Sequence, residues 1–224
     1  MKLLALDTSS LACTVGLLVD GRRVVRHEER ARQHTRLLVP MIRDVLDEAG
    51  VELRDCDAIV LGNGPGSFIG LRIAASVAQG LAFGAGLPIV PVSSMAAVAV
   101  AAGAPGDVVV VTQDAHMNEV YVGVYEIDAD QLARETVPEQ LVPVGALDAL
   151  TGVDAAIAAG YGWTRYPGLL PENASRIAAL SPELYPNAPA LLAIGAREFS
   201  AGRTIDAERV APAYLRHKVA QPPS

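Results

Sequence analysis

The chain has 224 residues, 51% of them apolar and 19% charged, with a formal net charge of −7. That length buries roughly 70% of the surface it would expose unfolded, as one large domain or two small lobes, and the composition excludes an intrinsically disordered protein. Two cysteines, Cys13 and Cys56, exclude a disulfide scaffold or a four-thiolate zinc site and suit a reduced, cytoplasmic setting, while the acidic balance makes the chain alone a poor polyanion binder.

The opening Lys2 to Asp7 is an apolar run that meets a charge too early for a signal peptide. Cys13 to Val19 and Arg22 to Glu29 follow as strands joined by Asp20-Gly21, a hairpin signal. From Gln33 to Gly50 the apolar residues Leu37, Leu38, Met41, Ile42, Val45, Leu46 and Ala49 recur at helical spacing, with Gly50 as the stop and Pro40 placed early. Asp57 to Leu61 reads as a buried strand, Gly62 to Ser67 as a loop, and Phe68 to Phe83 as a second helix.

No charge occurs between Arg72 and Asp107, a run long enough to span a bilayer. Pro88, Pro91 and glycines at 80, 84, 86 and 103 break it instead into buried helix, short strand (Ile89 to Val92) and buried helix (Met95 to Ala102), with Ser93 or Ser94 as N-cap. No membrane partner is expected. The order β-β-β-α-β-α-β-α implies an α/β fold with a mixed sheet.

The second half begins alike, with Val108 to Thr112 and Val120 to Ile127 as strands and a helix near Ala190 to Ser200. Asp7 lies nine residues before Gly16, and Asp114 nine before Gly123. This echo predicts two related lobes, residues 1–104 and 105–224, the second more degenerate and ending in a polar tail.

Two segments are candidates for chemistry. Gly62, Gly64, Gly66 and Gly70 with Ser67 stand between a strand and a helix, where backbone amides suit an anion. The same glycines suit a tight turn that lets helix pack on strand, and no P-loop, dinucleotide or nucleophile-elbow frame fits. Asp7-Thr8-Ser9-Ser10 at a strand end suits hydrated magnesium and phosphate, or a turn that merely closes a hairpin. Asp7, Thr8, Ser9, Gly64, Gly66 and Ser67 are thus the candidate remnant of a nucleotide or phosphate site. His27, His34, His116 and His217 read as surface or turn residues, because no pair has metal-site spacing; four residues beyond His34 stands Leu38. No metal, cofactor or catalytic constellation is expected. Arg22, Arg23, Arg26, Arg30, Arg32 and Arg36, interleaved with acids, read as a solvated edge.

The segment from Gly62 through Asn63-Gly64-Pro65-Gly66-Ser67-Phe68-Ile69-Gly70-Leu71-Arg72 to Ile73 resembles the signature of the bacterial TsaB (YeaZ) family. Leu6-Asp7-Thr8-Ser9, His34-Thr35-Arg36-Leu37-Leu38, the run from Asp114 to Tyr121, and Pro212-Ala213-Tyr214-Leu215-Arg216 agree in matching order. Asn63, Ile69 and Ala74 depart from the residues usual there.

The resemblance implies an actin/Hsp70-like (ASKHA) two-lobed fold and a non-catalytic subunit of the tRNA threonylcarbamoyladenosine system. Its implied partner is the catalytic sister subunit, which modifies adenosine 37 of tRNAs reading codons that begin with A; a small ATPase joins the assembly. Homodimers form when the sister is absent, and tRNA is met only indirectly. Family members dock through their first two helices, which points to His34, Leu37, Leu38, Met41, Ile42 and Val45 on the first and Leu71, Arg72, Ala75 and Ala78 on the second. The rival class is a small kinase or ATPase of the same fold, using Asp7 and the Gly64-Gly66-Ser67 loop on ATP. A peptidase, an older assignment for relatives, finds no metal pair or triad here.

Overall fold

A computed structural model describes residues 1–147, 150–213 and 215. Strands β1 (Lys2–Asp7), β2 (Cys13–Val19) and β3 (Arg22–Glu28) form an antiparallel meander. The β2–β3 turn is set by Asp20 (φ 47°) and Gly21 (φ 92°), the paired positive φ values that a two-residue hairpin matching strand twist requires. Helix α1 (His34–Ala49) leads to β4 (Ala58–Gly62), α2 (Phe68–Ala85), β5 (Ile89–Val92) and α3 (Ser94–Ala102). β4 and β5 run parallel to β1, giving the sheet order β3-β2-β1-β4-β5.

The second sheet repeats this plan. β6 (Val108–Asp114) takes the central place, with β7 (Glu119–Ile127) and β8 (Ala133–Pro143) antiparallel on one side. β9 (Ala156–Ala159) and β10 (Ile177–Leu180) lie parallel on the other, in the order β10-β9-β6-β7-β8. Between them come the short helices α4 (Tyr161–Arg165) and α5 (Leu169–Glu172), and after them α6 (Ala188–Ser200).

The layers explain the apolar patterning. One face of the first sheet (Leu4, Leu6, Val15, Leu17, Ile59, Leu61) carries α1 through Leu38, Met41, Ile42 and Val45, and α2 through Ala74, Ala75, Ala78 and Ala82. Its other face (Leu3, Ala5, Ala58, Val60) is covered by Ala190, Leu191, Leu192 and Ile194 of α6. Helix α3 serves both lobes: Ala97 and Val100 join that cluster, while Met95, Val98 and Ala99 pack against Val109, Val111, Tyr121 and Tyr125 of the second sheet. The outer face of the second sheet is covered by short segments, through Leu147, Leu150, Trp163 and Leu169. Thus a division after residue 104 separates the strands of the two sheets, but α6 crosses back to the first.

The echo between the halves holds in topology and slips by one in register. Gly16 faces Ala5, two residues before Asp7, whereas Gly123 faces Val111, three before Asp114. The two glycines also serve different ends. A Cβ on Gly16 would lie 2.7 Å from the Ala188 Cβ, so this glycine seats α6; one on Gly123 would meet the Tyr125 ring.

Three expectations need correction. Pro40 lies past the first turn of α1, which starts at His34, and so leaves the Arg36 carbonyl without its usual donor. Helix α2 is long and apolar enough to cross a membrane by length and composition, yet its inward stripe is core and its outward stripe is open, so it is a half-buried helix. Strand β8 is absent from the sequence reading. It is polar and carries Pro138, which the sheet tolerates at a register break between Val137, opposite Val124, and Gln140, opposite Val122.

Candidate functional site

The carboxyl ends of β1 and β4 meet at the centre of the first lobe, and there the two sequence candidates form one structure. Asp7 is 1% exposed. Its Oδ1 accepts from the Ser9 amide at 2.6 Å and its Oδ2 from Ser94 Oγ at 2.6 Å. Ser94 Oγ also accepts from the Gly64 amide at 3.0 Å. Thr8 Oγ1 donates to the Gly70 carbonyl at 2.7 Å, and the Ser67 amide donates to the Ser9 carbonyl at 2.6 Å. Ser67 caps α2 by accepting from the Gly70 amide at 3.2 Å.

This geometry assigns the glycines a role. A Cβ on Gly62 would stand 1.9 Å from Asp7 Oδ2, one on Gly66 2.3 Å from the Ser9 carbonyl oxygen, and one on Gly70 1.9 Å from the Thr8 carbonyl oxygen. They are glycines because the Asp7–Ser9 turn lies directly on them. Of the two readings open in the sequence, close packing accounts for Gly62, Gly66 and Gly70, and the amides of Gly64, Ser67 and Gly70 are spent inside the protein. The C-terminal segment closes the loop from outside: Asn63 Nδ2 donates to the Ala211 carbonyl and the Ala213 amide to the Asn63 carbonyl, both at 3.1 Å. Tyr214 and Arg216 of the Pro212–Arg216 motif, and His217, lie outside the described residues.

Burial raises the Asp7 carboxyl above its ordinary 3.8, against the opposing hydrogen bonds from Ser94 and Ser9. Above 3.8 the folded chain therefore holds a proton that the unfolded chain has lost, so this group makes stability fall as pH rises from 3.8 to the raised value. Asp7→Asn removes that contribution. The difference in unfolding free energy between the wild type and Asp7→Asn, followed by urea titration across that window, changes by up to about 1.4 kcal/mol per pH unit.

A second, half-buried carboxylate joins the lobes. Glu139 on β8 accepts from Tyr125 Oη at 2.6 Å and from Ser93 Oγ, the N-cap of α3. Burial raises its carboxyl and pushes the Tyr125 hydroxyl up. Nothing in the sequence marked Glu139, because its partners lie on other strands and on a helix N-terminus. Among the described residues no three His, Cys, Asp or Glu side chains gather as a metal site.

The second candidate region is the outward side of α1 and α2. Between the two helices runs an apolar groove of about 400 Å³ lined by Thr35, Leu38, Val39, Ile69, Arg72, Ile73, Ser76 and Val77. Ile69 is 70% exposed, Val39 48% and, farther along α2, Phe83 73%. The Arg72 guanidinium lies 3.4 Å above the Phe68 ring. Of the docking residues that the family resemblance implies, Leu38 and Arg72 line this groove. His34, Leu38, Met41, Ile42, Val45, Leu71, Ala75 and Ala78 are buried, Leu37 is half-buried and Arg72 is exposed. On both helices the stripe richest in apolar residues is the core face. The open stripe contains Ile69, one of the departures from the TsaB signature.

A family model described as "TsaD: tRNA N6-adenosine threonylcarbamoyltransferase" matches residues 25–161. The "tRNA threonylcarbamoyladenosine biosynthesis protein TsaB" of Haemophilus influenzae is 39% identical, the alignment covering 98% of this chain and 95% of that protein. The chain belongs to the TsaB (YeaZ) family. The TsaB of Escherichia coli is 35% identical over 98% of this chain and 96% of its own length. The solved structure of YeaZ from Pseudomonas aeruginosa superposes with a TM-score of 0.83 at 39% identity, covering 96% of this chain and 99% of that one. A second Pseudomonas aeruginosa structure, described as an uncharacterized protein with similarity to peptidase YEAZ, gives 0.85. The TsaB family thus supplies the tRNA threonylcarbamoyladenosine context, and the paired mixed sheets are its ASKHA-like fold.

Proposed function

We propose that this TsaB-family chain is a non-catalytic, cytoplasmic subunit for threonylcarbamoyl transfer to adenosine 37 of tRNA. It docks on the catalytic sister subunit, helps recruit a small ATPase, and pairs with a second copy when alone. The observation that carries this reading is the open apolar groove between α1 and α2, with Ile69, Val39 and Phe83 exposed on a fold whose other helices are packed. Exposed apolar surface of this kind marks a protein interface. The rival kinase or ATPase needs an Asp7 carboxylate open to magnesium; here it is buried and both oxygens are engaged by Ser9 and Ser94.

Contact with tRNA stays indirect in this proposal. Arg22 and Arg26 on the β3 edge both face Glu48 of α1, at 3.8 and 2.6 Å, which tempers their charge. The deciding experiment is transfer to tRNA in a reconstituted mixture with and without this chain. Multiple-turnover modification collapses on its omission, while the chain alone transfers nothing. Equal transfer without it, or ATP turnover by the isolated chain, overturns the reading.

A further inference from the structure

The two sheets end in four edge strands, β3, β5, β8 and β10. Three of these edges are guarded. β3 carries Arg22, Arg23, Arg26 and Glu28, and β8 carries Arg134, Glu135, Glu139 and Pro138. β5 is covered, because Ile89 exchanges amide-to-carbonyl hydrogen bonds with Ile205 at 2.9 and 2.8 Å. Charges, proline and a covering segment are the devices that stop strands from joining edge to edge. β10, made of Ile177, Ala178, Ala179 and Leu180, has none of them, and among the described residues no strand pairs with its outer side.

This edge is also apolar. Ala178, Ala179 and Leu180 are exposed, Leu180 to 51%. A groove of about 330 Å³ beside them is lined by Leu170, Pro171, Ala174 and Ile177. On the inner side the Ala156 amide donates to the Arg176 carbonyl at 2.9 Å and the Ser181 amide to the Ala158 carbonyl at 2.8 Å. Backbone direction alternates along a strand, so Leu180, next to Ser181, turns its own amide and carbonyl outward. The charges at the two ends of the segment select what fits there. Arg176 and Glu183 bracket it, and the residues between them carry no charge. A second copy laid antiparallel about a two-fold axis at Ala179 brings each Arg176 beside Glu183 of the other copy, whereas a parallel one sets like charges together.

We propose that β10 pairs antiparallel with β10 of a second copy of this chain, joining two five-stranded second-lobe sheets into one continuous sheet. The two-fold axis sets Ala178 of each copy opposite Leu180 of the other and Ala179 opposite itself. Main-chain hydrogen bonds hold the edges together, and Leu180 adds apolar contact beside the groove. Four residues give a short ladder, so this pairing is weak and depends on concentration. It uses none of the exposed residues of the α1–α2 groove, so one chain can engage both surfaces.

The test is disulfide capture in the full chain carrying Ala179→Cys, on an Ile69→Glu background that removes pairing through the groove. Residues opposite each other at a position without ladder bonds have Cα atoms about 4.5 Å apart, within disulfide reach. Cys13 and Cys56 stay inert, because burial pushes their thiols up to about 12 and about 11. Mild oxidation converts Ala179→Cys to a covalent dimer, whereas Ser175→Cys, exposed but far from the axis, stays monomeric. Leu180→Lys, a change at an exposed residue, weakens self-association read by sedimentation about tenfold or more, since it removes a Leu contact and charges the edge. Arg176→Glu and Glu183→Arg, each combined with Ala179→Cys, lower the dimer yield singly and restore it when the two chains are mixed. A yield no greater than that of Ser175→Cys overturns the proposal, as does a yield that Leu180→Lys leaves unchanged or a mixture no better than its components. Protection of the Ala179→Cys thiol from alkylation by added sister subunit, with no covalent dimer in its absence, assigns the edge to that partner and also overturns self-pairing.

Discussion

Gly70→Ala lowers the unfolding free energy by roughly 3 kcal/mol or more, read by urea denaturation. In an exposed helix the same exchange stabilises by about 1 kcal/mol, since alanine is the better helix former. Here the added Cβ would stand 1.9 Å from the Thr8 carbonyl oxygen, a backbone atom that accepts no rotamer change as relief. Either α2 moves off the strand ends or the Asp7–Ser9 turn is displaced, and both break the Thr8–Gly70 and Ser9–Ser67 hydrogen bonds. Gly80→Ala, on the same helix with nothing within 4 Å of the new Cβ, gives the opposite sign, a gain of about 0.5–1 kcal/mol. Equal effects of the two changes would mean that helix propensity, and not the packed turn, governs α2.

Ile69→Glu separates docking from folding. Ile69 is 70% exposed, so stability stays within about 0.5 kcal/mol of wild type. A charge in the middle of an apolar contact weakens association with the catalytic sister subunit by about a hundredfold, and transfer to tRNA in the reconstituted mixture falls with it. Sedimentation of the mixed subunits and a melting curve of the variant alone check the two halves of this statement. Met41→Ala makes the contrast. Met41 is buried against the first sheet and does not line the groove, so its loss costs roughly 2–5 kcal/mol of stability, and any defect in assembly follows from the fold. An Ile69→Glu variant that binds and supports transfer normally removes the groove from the interface.

The sequence by itself determined the elements of the first lobe and the kinship between the halves. Asp20-Gly21 specifies its hairpin because both central residues need positive φ. The periodicity ending at Gly50 specifies α1, whose terminal glycine lies in the left-handed region at φ 64°. The family motif locates the glycine loop, and the acid-to-glycine echo marks two strand-turn-strand openings that the sheets confirm as one repeated plan. These are local signals, carried by residues near in the chain.

The tertiary structure decided what depends on distant neighbours. Periodicity identifies an apolar stripe on α1 and α2, but only the sheet beneath them shows that Met41 and Ala78 face in and Val39 and Ile69 face out. The glycines at 62, 66 and 70 have their reason in the Asp7–Ser9 turn, some sixty residues away in the chain and in van der Waals contact in space. α6 covers the first sheet because Gly16, and Gly195 facing Val60, let helix and strands approach closely, a complementarity neither segment states alone. His34, expected at the surface or on a docking face, is buried by the fold to 8% exposure. Packing and burial are pairwise properties, and a single strand of sequence carries only one member of each pair.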